Sequence, residues 1–376
     1  SQTLLGNRCV FIPGWDCHGL PIEHKVMTEI VSKKADKFQT LDLATQRRII
    51  RSECQKYASK YIKLQAEQMK RLLTIGDYDN PYLTMAPKYE YEVLQVFKSL
   101  VKEGLVYRQL KPVHWSLANK TALAEAELEY EDKYDTAVYV NFEVQNKEEL
   151  NKKLSLPNED TLHLMIWTTT PWTLPANLAI ACHQNYTYCL VRLNDKLTII
   201  AKDLIEKVQT ETELTCELIS EIKGSDLLGL IYKHPFCDRE GKVVHAEYVT
   251  LEDGCGLVHT APGHGTDDYM TGLKEGLEVY CPVLGDGHFD DTVPEWLQGK
   301  LIWDANKDIV EALKTSGHLV HSYEFLHSYP HDWRSKTPVI FRSTEQWFIG
   351  VDRQTNTNSK SLREMALSEI ENKIKF

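Results

Sequence analysis

Three stretches of the 376-residue chain gather residue types that can do chemistry. Residues 13–23, PGWDCHGLPIE, set Asp16 in a turn rich in glycine and proline after a short apolar run. A carboxylate at a strand's C-terminal end suits a cationic group, although the same composition also makes a tight structural turn. Residues 164–175, LMIWTTTPWTLP, place Thr168, Thr169 and Thr170 at a strand end closed by a proline. Strand alternation puts Thr168 and Thr170 on one face and Thr169 on the other, unless a bulge intervenes. Their hydroxyls can donate to and accept from a polar ligand, but threonine is also simply a good strand former. Residues 254–277 hold His259, His264, Asp267 and Asp268 among glycines that allow close backbone approach. Thr266 or Asp267 can cap the helix that follows. His259, His264 and Asp268 make a conceivable metal set without regular zinc spacing. Cys255 lies near His259, yet the intervening GLV reads as strand and not as the setting of an activated thiol.

The elements that must position these residues change along the chain. Residues 9–12 read as a short strand, and residues 42–75 and 88–103 as helices with apolar residues at helical spacing, stopped by Gly76 and Gly104. From residue 136 the texture becomes alternating: TAVYVNFEV, LHLMIW (162–167), YCLVRL (188–193) and KLTIIA (196–201) read as strands, with helices over 267–275 and 305–315. PVIFRS (338–343) is strand-like, and an amphipathic helix starts near residue 359. The fold class is thus α/β, with a β-rich module over 136–325 between a mainly helical segment, 1–135, and a return segment, 326–376. Both ends read as cut from something larger.

Composition narrows the function classes. Hydrophobic residues make up 42% and charged residues 26%, which excludes a disordered or fibrous chain. No apolar run is long enough to span a membrane, and no signal peptide is visible. Nine scattered cysteines with no CxxC point to a reducing compartment, not a disulfide scaffold. The net charge of −11 disfavours non-specific nucleic-acid binding but leaves room for a local groove. Lys147, Lys152 and Lys153 form a small basic cluster that reads as a solvated loop.

GWDCHGLPIE, TALAEAELEYEDK (121–133), WTTTPWTLPANLAI (167–180), GLVHTAPGHGTDDY (256–269), HSYPHDWRSKTP (327–338) and STEQWF (343–348) follow one another as in isoleucyl-tRNA synthetases, which the whole chain resembles. The resemblance implies the large insertion of a class I synthetase that carries the editing site, a barrel-like mixed sheet flanked by segments leading to a Rossmann catalytic domain. It implies hydrolysis of misformed valyl-tRNA(Ile), and of valyl-adenylate in a pre-transfer route, within a parent that attaches isoleucine to tRNA(Ile). ATP and magnesium belong to that parent. The HIGH and KMSKS signatures are not in this sequence, so adenylate formation by this chain, or productive ATP binding, is not expected, and editing needs no cofactor or metal. The implied partners are the tRNA(Ile) 3′ end and a valine ester or adenylate. The implied setting is a monomer in the cytoplasm, or alternatively a mitochondrion. The rival reading is a module that docks the tRNA end without hydrolysing it.

Carried over onto matching positions, the resemblance makes Asp268 the group that grips the substrate's α-ammonium and His259 a wall of the amino-acid pocket. Thr168, Thr169 and Thr170 surround the ester and terminal ribose, flanked by Trp167 and Trp172. Asp16 and Trp347 match the synthetic site for isoleucine. Many bacterial relatives carry a CxxC after KPVxW that resembles a zinc knuckle. Ser116 and Asn119 stand there instead, so the segment that follows is expected to hold by packing. Cys255 replaces the usual threonine. The chemical need is a second sieve: one methylene supports only about 150-fold discrimination, isoleucyl enzymes being the usual illustration of that limit. No residue stands out as a general base, so a positioned water assisted by threonine hydroxyls and the substrate's ribose hydroxyl is the expected nucleophile.

Overall fold

Helix and strand signals segregate in space as they do along the sequence. The computed structural model describes residues 4–31, 38–154, 161–193 and 195–374. Its chain divides into two compact units, residues 1–108 with 347–376, and residues 109–346.

In the first unit, strand β1 (Gly14–Trp15) pairs in parallel with β2 (Tyr82–Leu83). Helix α1 (Leu20–Val26) follows the Asp16 turn, α2 spans Leu43–Arg71 and α3 spans Pro87–Lys102. Asp42 caps α2 by accepting from the Thr45 amide at 3.0 Å, which satisfies one of the free amides of a helix start. Two expectations need correction here. Residues 9–12 form no strand: their apolar side chains are exposed, and the strand begins at Gly14. Helix α2 does not stop at Gly76. It ends at Arg71, and Leu73 takes the left-handed φ of 59°. Gly76 is small for another reason, because a Cβ there would come within 2.8 Å of the Phe11 ring. Gly104, at φ 72°, does close α3.

The second unit is built on a ten-stranded, mostly antiparallel sheet. After β3 (Val106–Ser116) and β4 (Thr121–Ala122), the 17-residue β5 (Leu128–Val144) starts well before the change of texture at residue 136. The short helix α4 (Glu148–Leu154) precedes β6 (Leu162–Thr168), and β7 (Ala179–Cys182), β8 (Thr187–Leu193) and β9 (Lys196–Ala201) follow. Helix α5 (Ile205–Thr212) leads to β10 (Cys216–Lys223), β11 (Ile231–Lys233), β12 (Glu240–His245) and β13 (Val258–Thr260). Helices α6 (Thr266–Glu275) and α7 (Ile302–Thr315) come next, then β14 (Leu319–Asp332) and β15 (Val339–Ile349). Helix α8 (Leu362–Asn372), capped reciprocally by Ser361 and Glu364, belongs to the first unit.

The sheet order is β10-β8-β9-β6-β5-β11-β12-β7-β13, with β14 also on β5; β15, β3 and β4 form a smaller sheet. Strands β6, β8 and β9 are buried along almost their whole length, which explains their near-continuous apolar runs. Val140, Phe142, Leu164, Ile166, Leu190 and Ile199 are fully buried in one core.

The β3–β4 turn is held by more than packing. Asp332 Oδ2 accepts from Ser116 Oγ at 2.7 Å and from Asn119 Nδ2 at 2.6 Å. Asp332 Oδ1 accepts from the Arg334 amide at 2.9 Å. Burial opposes the charge, but the bonds from Ser116, Arg334 and Asn119 outweigh it and hold the Asp332 carboxyl below its ordinary range. A buried carboxylate is thus the centre of the knot at the two knuckle positions.

Candidate active site

The threonine motif and the histidine motif meet because β7 lies between them in sequence and beside β13 in space. β6 ends at Thr168, which pairs with Val138 of β5. Pro171 then opens a buried 3-10 turn, Pro171–Ala176, that feeds β7. β13 lies antiparallel to β7, with His259 opposite Ile180 and Thr260 opposite Ala179. The Leu178 amide bonds the Thr260 carbonyl at 3.0 Å and extends this pairing toward the turn.

The side chains at this junction form one hydrogen-bonded chain. Thr168 Oγ1 lies 3.1 Å from Thr170 Oγ1, which confirms the shared face of these two hydroxyls. The Thr170 amide also donates to Thr168 Oγ1 at 3.1 Å. Thr173 Oγ1 donates to the Thr170 carbonyl at 2.8 Å. His259 Nε2 lies 2.8 Å from Thr173 Oγ1, and His259 Nδ1 lies 3.4 Å from Asn177 Nδ2. These partners assign the tautomer. The Thr173 hydroxyl has given its proton to a carbonyl, so it accepts from His259 Nε2–H. The Asn177 amide nitrogen can only donate, so His259 Nδ1 accepts. Burial pushes His259 down to about 4, with His264 acting in the same direction, so the ring is neutral near pH 7. Asn177 is fixed in turn by Tyr232 Oη, which donates to its Oδ1 at 2.6 Å, and by its own bond to the Ala179 carbonyl at 2.9 Å.

Asp268 sits two residues into α6 and bonds back to the residues just after β13. Its Oδ2 accepts from the Ala261 amide at 2.8 Å and its Oδ1 from Tyr248 Oη at 3.2 Å. Burial raises the carboxyl to about 6, against the bonds from Ala261 and Tyr248. It is therefore mostly ionised at neutral pH, in a half-buried position where an opposite charge is strongly favoured. The expected cap of this helix is corrected: Gly265 is the N-cap, with no side-chain cap bond, and Thr266 and Asp267 are exposed first-turn residues. Asp267 still favours the helix N-terminus through the dipole. His264 Nδ1 donates to the Phe341 carbonyl at 3.0 Å, which pins the same loop to β15.

The other candidates are placed differently. Trp167 turns toward β14, its Nε1 donating to Tyr323 Oη at 3.2 Å and its ring meeting Phe325 edge-on. Trp172 is buried against His264 and Trp303, and its Nε1 has no hydrogen-bond partner. Thr169 is half-buried at the strand end. Cys255 is buried, bonds the Met165 carbonyl at 3.0 Å and is pushed up to about 12 by burial, so it is no thiol nucleophile paired with His259. Asp16 and Trp347 belong to the first unit. Asp16 is exposed and accepts from Thr84 Oγ1 at 3.2 Å; Trp347 is exposed, meets Phe97 edge-on and lies under the Arg108 guanidinium. Among the described residues, no three His, Cys, Asp or Glu side chains are arranged to hold a metal ion.

Sequence reasoning missed Thr173, Asn177 and Tyr248. Thr173 and Asn177 lie inside the quoted motif, and their polarity amid buried neighbours was the available signal. Tyr248 has no local signal, being 20 residues from its carboxylate partner.

Comparison with known proteins supplies the context. The family described as tRNA synthetases class I (I, L, M and V) matches residues 1–376. The isoleucine–tRNA ligase of Kosmotoga olearia is 48% identical over 371 residues, covering 98% of this chain and 37% of that protein. That of Fervidobacterium pennivorans is 46% identical over 364 residues, covering 97% of this chain and 38% of that protein. The chain thus spans little more than a third of the length of these relatives. Among solved structures, the crystal structure of GlLeuRS-CP1 is similar with a TM-score of 0.42 and 16% identity, covering 50% of this chain and 99% of that one.

Proposed function

Because the chain belongs to the class I tRNA synthetases of the isoleucine, leucine, methionine and valine group, we propose that it is the editing region of an isoleucine–tRNA ligase and hydrolyses valine wrongly esterified to tRNA(Ile). The observation that carries this reading is the hydrogen-bonded chain from Asn177 through His259 and Thr173 to Thr170, with an ionised Asp268 held on the Ala261 amide two residues past His259. Neutral donors and acceptors and one fixed negative charge are thus held by the same short stretch, residues 259–261. An aminoacyl ester offers the matching features, a cationic α-ammonium and a neutral polar ester.

In this reading Asp268 binds the ammonium and His259 walls the side-chain pocket. The Thr168 and Thr170 hydroxyls orient the ester and the terminal ribose, with Thr169 at the same strand end. A water attacks the ester carbonyl carbon, the bond to the ribose oxygen breaks, and that oxygen leaves with a proton. Free valine and an uncharged tRNA end result. His259 is no general base here, since its one free lone pair, on Nδ1, faces the Asn177 amide. The substrate's neighbouring ribose hydroxyl relays the proton, and rate comes from positioning. Valyl-adenylate is a second substrate of the same pocket. Trp167 and Trp172 flank the three threonines in sequence.

The editing domain proper is placed at residues 136–325, between segments 1–135 and 326–376 that lead to the catalytic part of the parent. There Asp16 and Trp347 serve isoleucine binding, and ATP with magnesium is used. We place the protein in the cytoplasm as a monomer, with the tRNA(Ile) 3′ end as its partner.

The test is incubation of the chain with valyl-tRNA(Ile) and isoleucyl-tRNA(Ile), measuring free amino acid. Release of valine but not isoleucine is the expected result. Binding of the tRNA end without release of either would favour a docking module, and the reading as a hydrolase would fall.

A further inference from the structure

We infer that Tyr248 is a positioning residue for Asp268: its phenol fixes one carboxylate oxygen while the Ala261 amide fixes the other, so that the carboxylate meets an ammonium group in one orientation. This rests on the reading of Asp268 as the ammonium-binding group.

A carboxylate accepts only, so the Tyr248 proton points at Asp268 Oδ1. The phenol oxygen is then free to accept, and a threonine hydroxyl lies beside it. Thr260 Oγ1 of β13 lies 3.3 Å away. Each hydroxyl that donates to the phenol makes it a better donor in its turn. The ring is held by packing against the buried cluster of Ala179, Ala181, Val244, Ala246 and Val249. Tyr248 thus ties the carboxylate to the strand that carries His259.

The groups facing Asp268 are few. Asp267, next to it, repels its charge, and His264 favours it. The Ala261 amide and Tyr248 are its hydrogen-bond donors. Removing the phenol oxygen takes away one of two bonds to the charged form and leaves the burial in place. The carboxyl then becomes harder to ionise. One bond to a charged acceptor is worth at least about 1.5 kcal/mol, close to one pH unit.

The experiment uses the whole chain and a stable amide probe, 3′-deoxy-3′-(valylamino)adenosine, titrated calorimetrically from pH 5 to pH 7.5. The unaltered chain should bind progressively more weakly below a midpoint near pH 6. In Tyr248→Phe the midpoint should rise by about one unit, weakening binding about five-fold at pH 6 and less than two-fold at pH 7.5. Thr260→Val should shift the midpoint in the same direction by less, and decides the matter if Tyr248→Phe melts below the assay temperature. A midpoint that stays near 6 in both variants, or a loss of affinity equal at every pH, overturns the positioning role alone. No binding, or pH-independent binding, by the unaltered chain overturns the reading of Asp268 and this inference with it.

Discussion

His259 Nε2 donates to Thr173 Oγ1 at 2.8 Å, joining β13 to the turn after β6 across 86 residues of sequence. The bond closes a one-way chain: Asn177 to His259, His259 to Thr173, Thr173 to the Thr170 carbonyl. Because the ring is buried and neutral, its contribution to the site is shape and fixed polarity.

Truncating that ring should therefore have two separable effects. His259→Ala leaves Thr173 and Asn177 without a buried partner, which should cost about 2–4 kcal/mol of stability, read by urea denaturation. On the proposed reading it also removes the pocket wall against which an extra methylene would overpack, a penalty of about 1–3 kcal/mol. The variant should begin to hydrolyse isoleucyl-tRNA(Ile). Loss of valyl-tRNA hydrolysis with no gain toward isoleucyl-tRNA would remove His259 from the sieve.

The two aspartates of α6 should part company. Asp268→Ala should abolish release of valine, whereas Asp267→Ala, at an exposed first-turn position without a cap bond, should change stability by no more than about 1 kcal/mol and leave hydrolysis intact. Equal damage from the two would refute the division of roles.

Asp268 also sets a pH dependence with opposite signs for activity and stability. Its folded carboxyl is raised to about 6, so between the ordinary carboxylate range and that value the folded chain holds a proton that the unfolded chain has lost. Folding is therefore favoured as pH falls through 6, by at most about 3 kcal/mol from this group. Valyl ester hydrolysis should decline through the same window. Asp268→Asn should flatten the stability change in that window, measured by urea midpoints at pH 5 and 7.5, and should be inactive at both.

Asn177→Ala should be the most costly single truncation of the chain of bonds. It strips partners from Tyr232 Oη, the Ala179 carbonyl and His259 Nδ1, all buried. A loss of about 3–5 kcal/mol is expected by denaturant titration. It also frees His259 Nδ1, so the ring's proton can settle on either nitrogen. Imidazole 15N shifts, now expected to show protonated Nε2, would reveal the mixture.

The knot at Asp332 should carry stability without chemistry. Asp332→Asn keeps the shape but sets an amide donor against Ser116 or Asn119, and should cost about 2–3 kcal/mol. Because the folded carboxyl is depressed, its contribution is complete above the ordinary carboxylate range and fades only as pH falls below that range. Release of valine at 25 °C should be unchanged.

Much of the architecture was legible in local pattern. Alternation over 136–144 and the apolar runs at 162–167, 188–193 and 196–201 predicted strands that the structure contains, because burial on one or both faces writes itself into residue type. Gly104 marked a helix end because only a residue without Cβ enters the left-handed region freely. Gly76 misled for a related reason: its smallness serves the approach of Phe11, and a local rule reads every small residue as a turn.

The sequence by itself determined the motifs and their order, and with them the family and the residue types available for chemistry. Tertiary structure alone decided which of them meet. The pairing of β13 with β7 brings His259 to Thr173, and packing after β12 brings Tyr248 to Asp268. It also decided the charge states, a neutral His259 and a raised Asp268, since both come from desolvation. Hydrogen-bond direction and burial are properties of neighbours in space, and strand register, which no local window contains, chooses those neighbours.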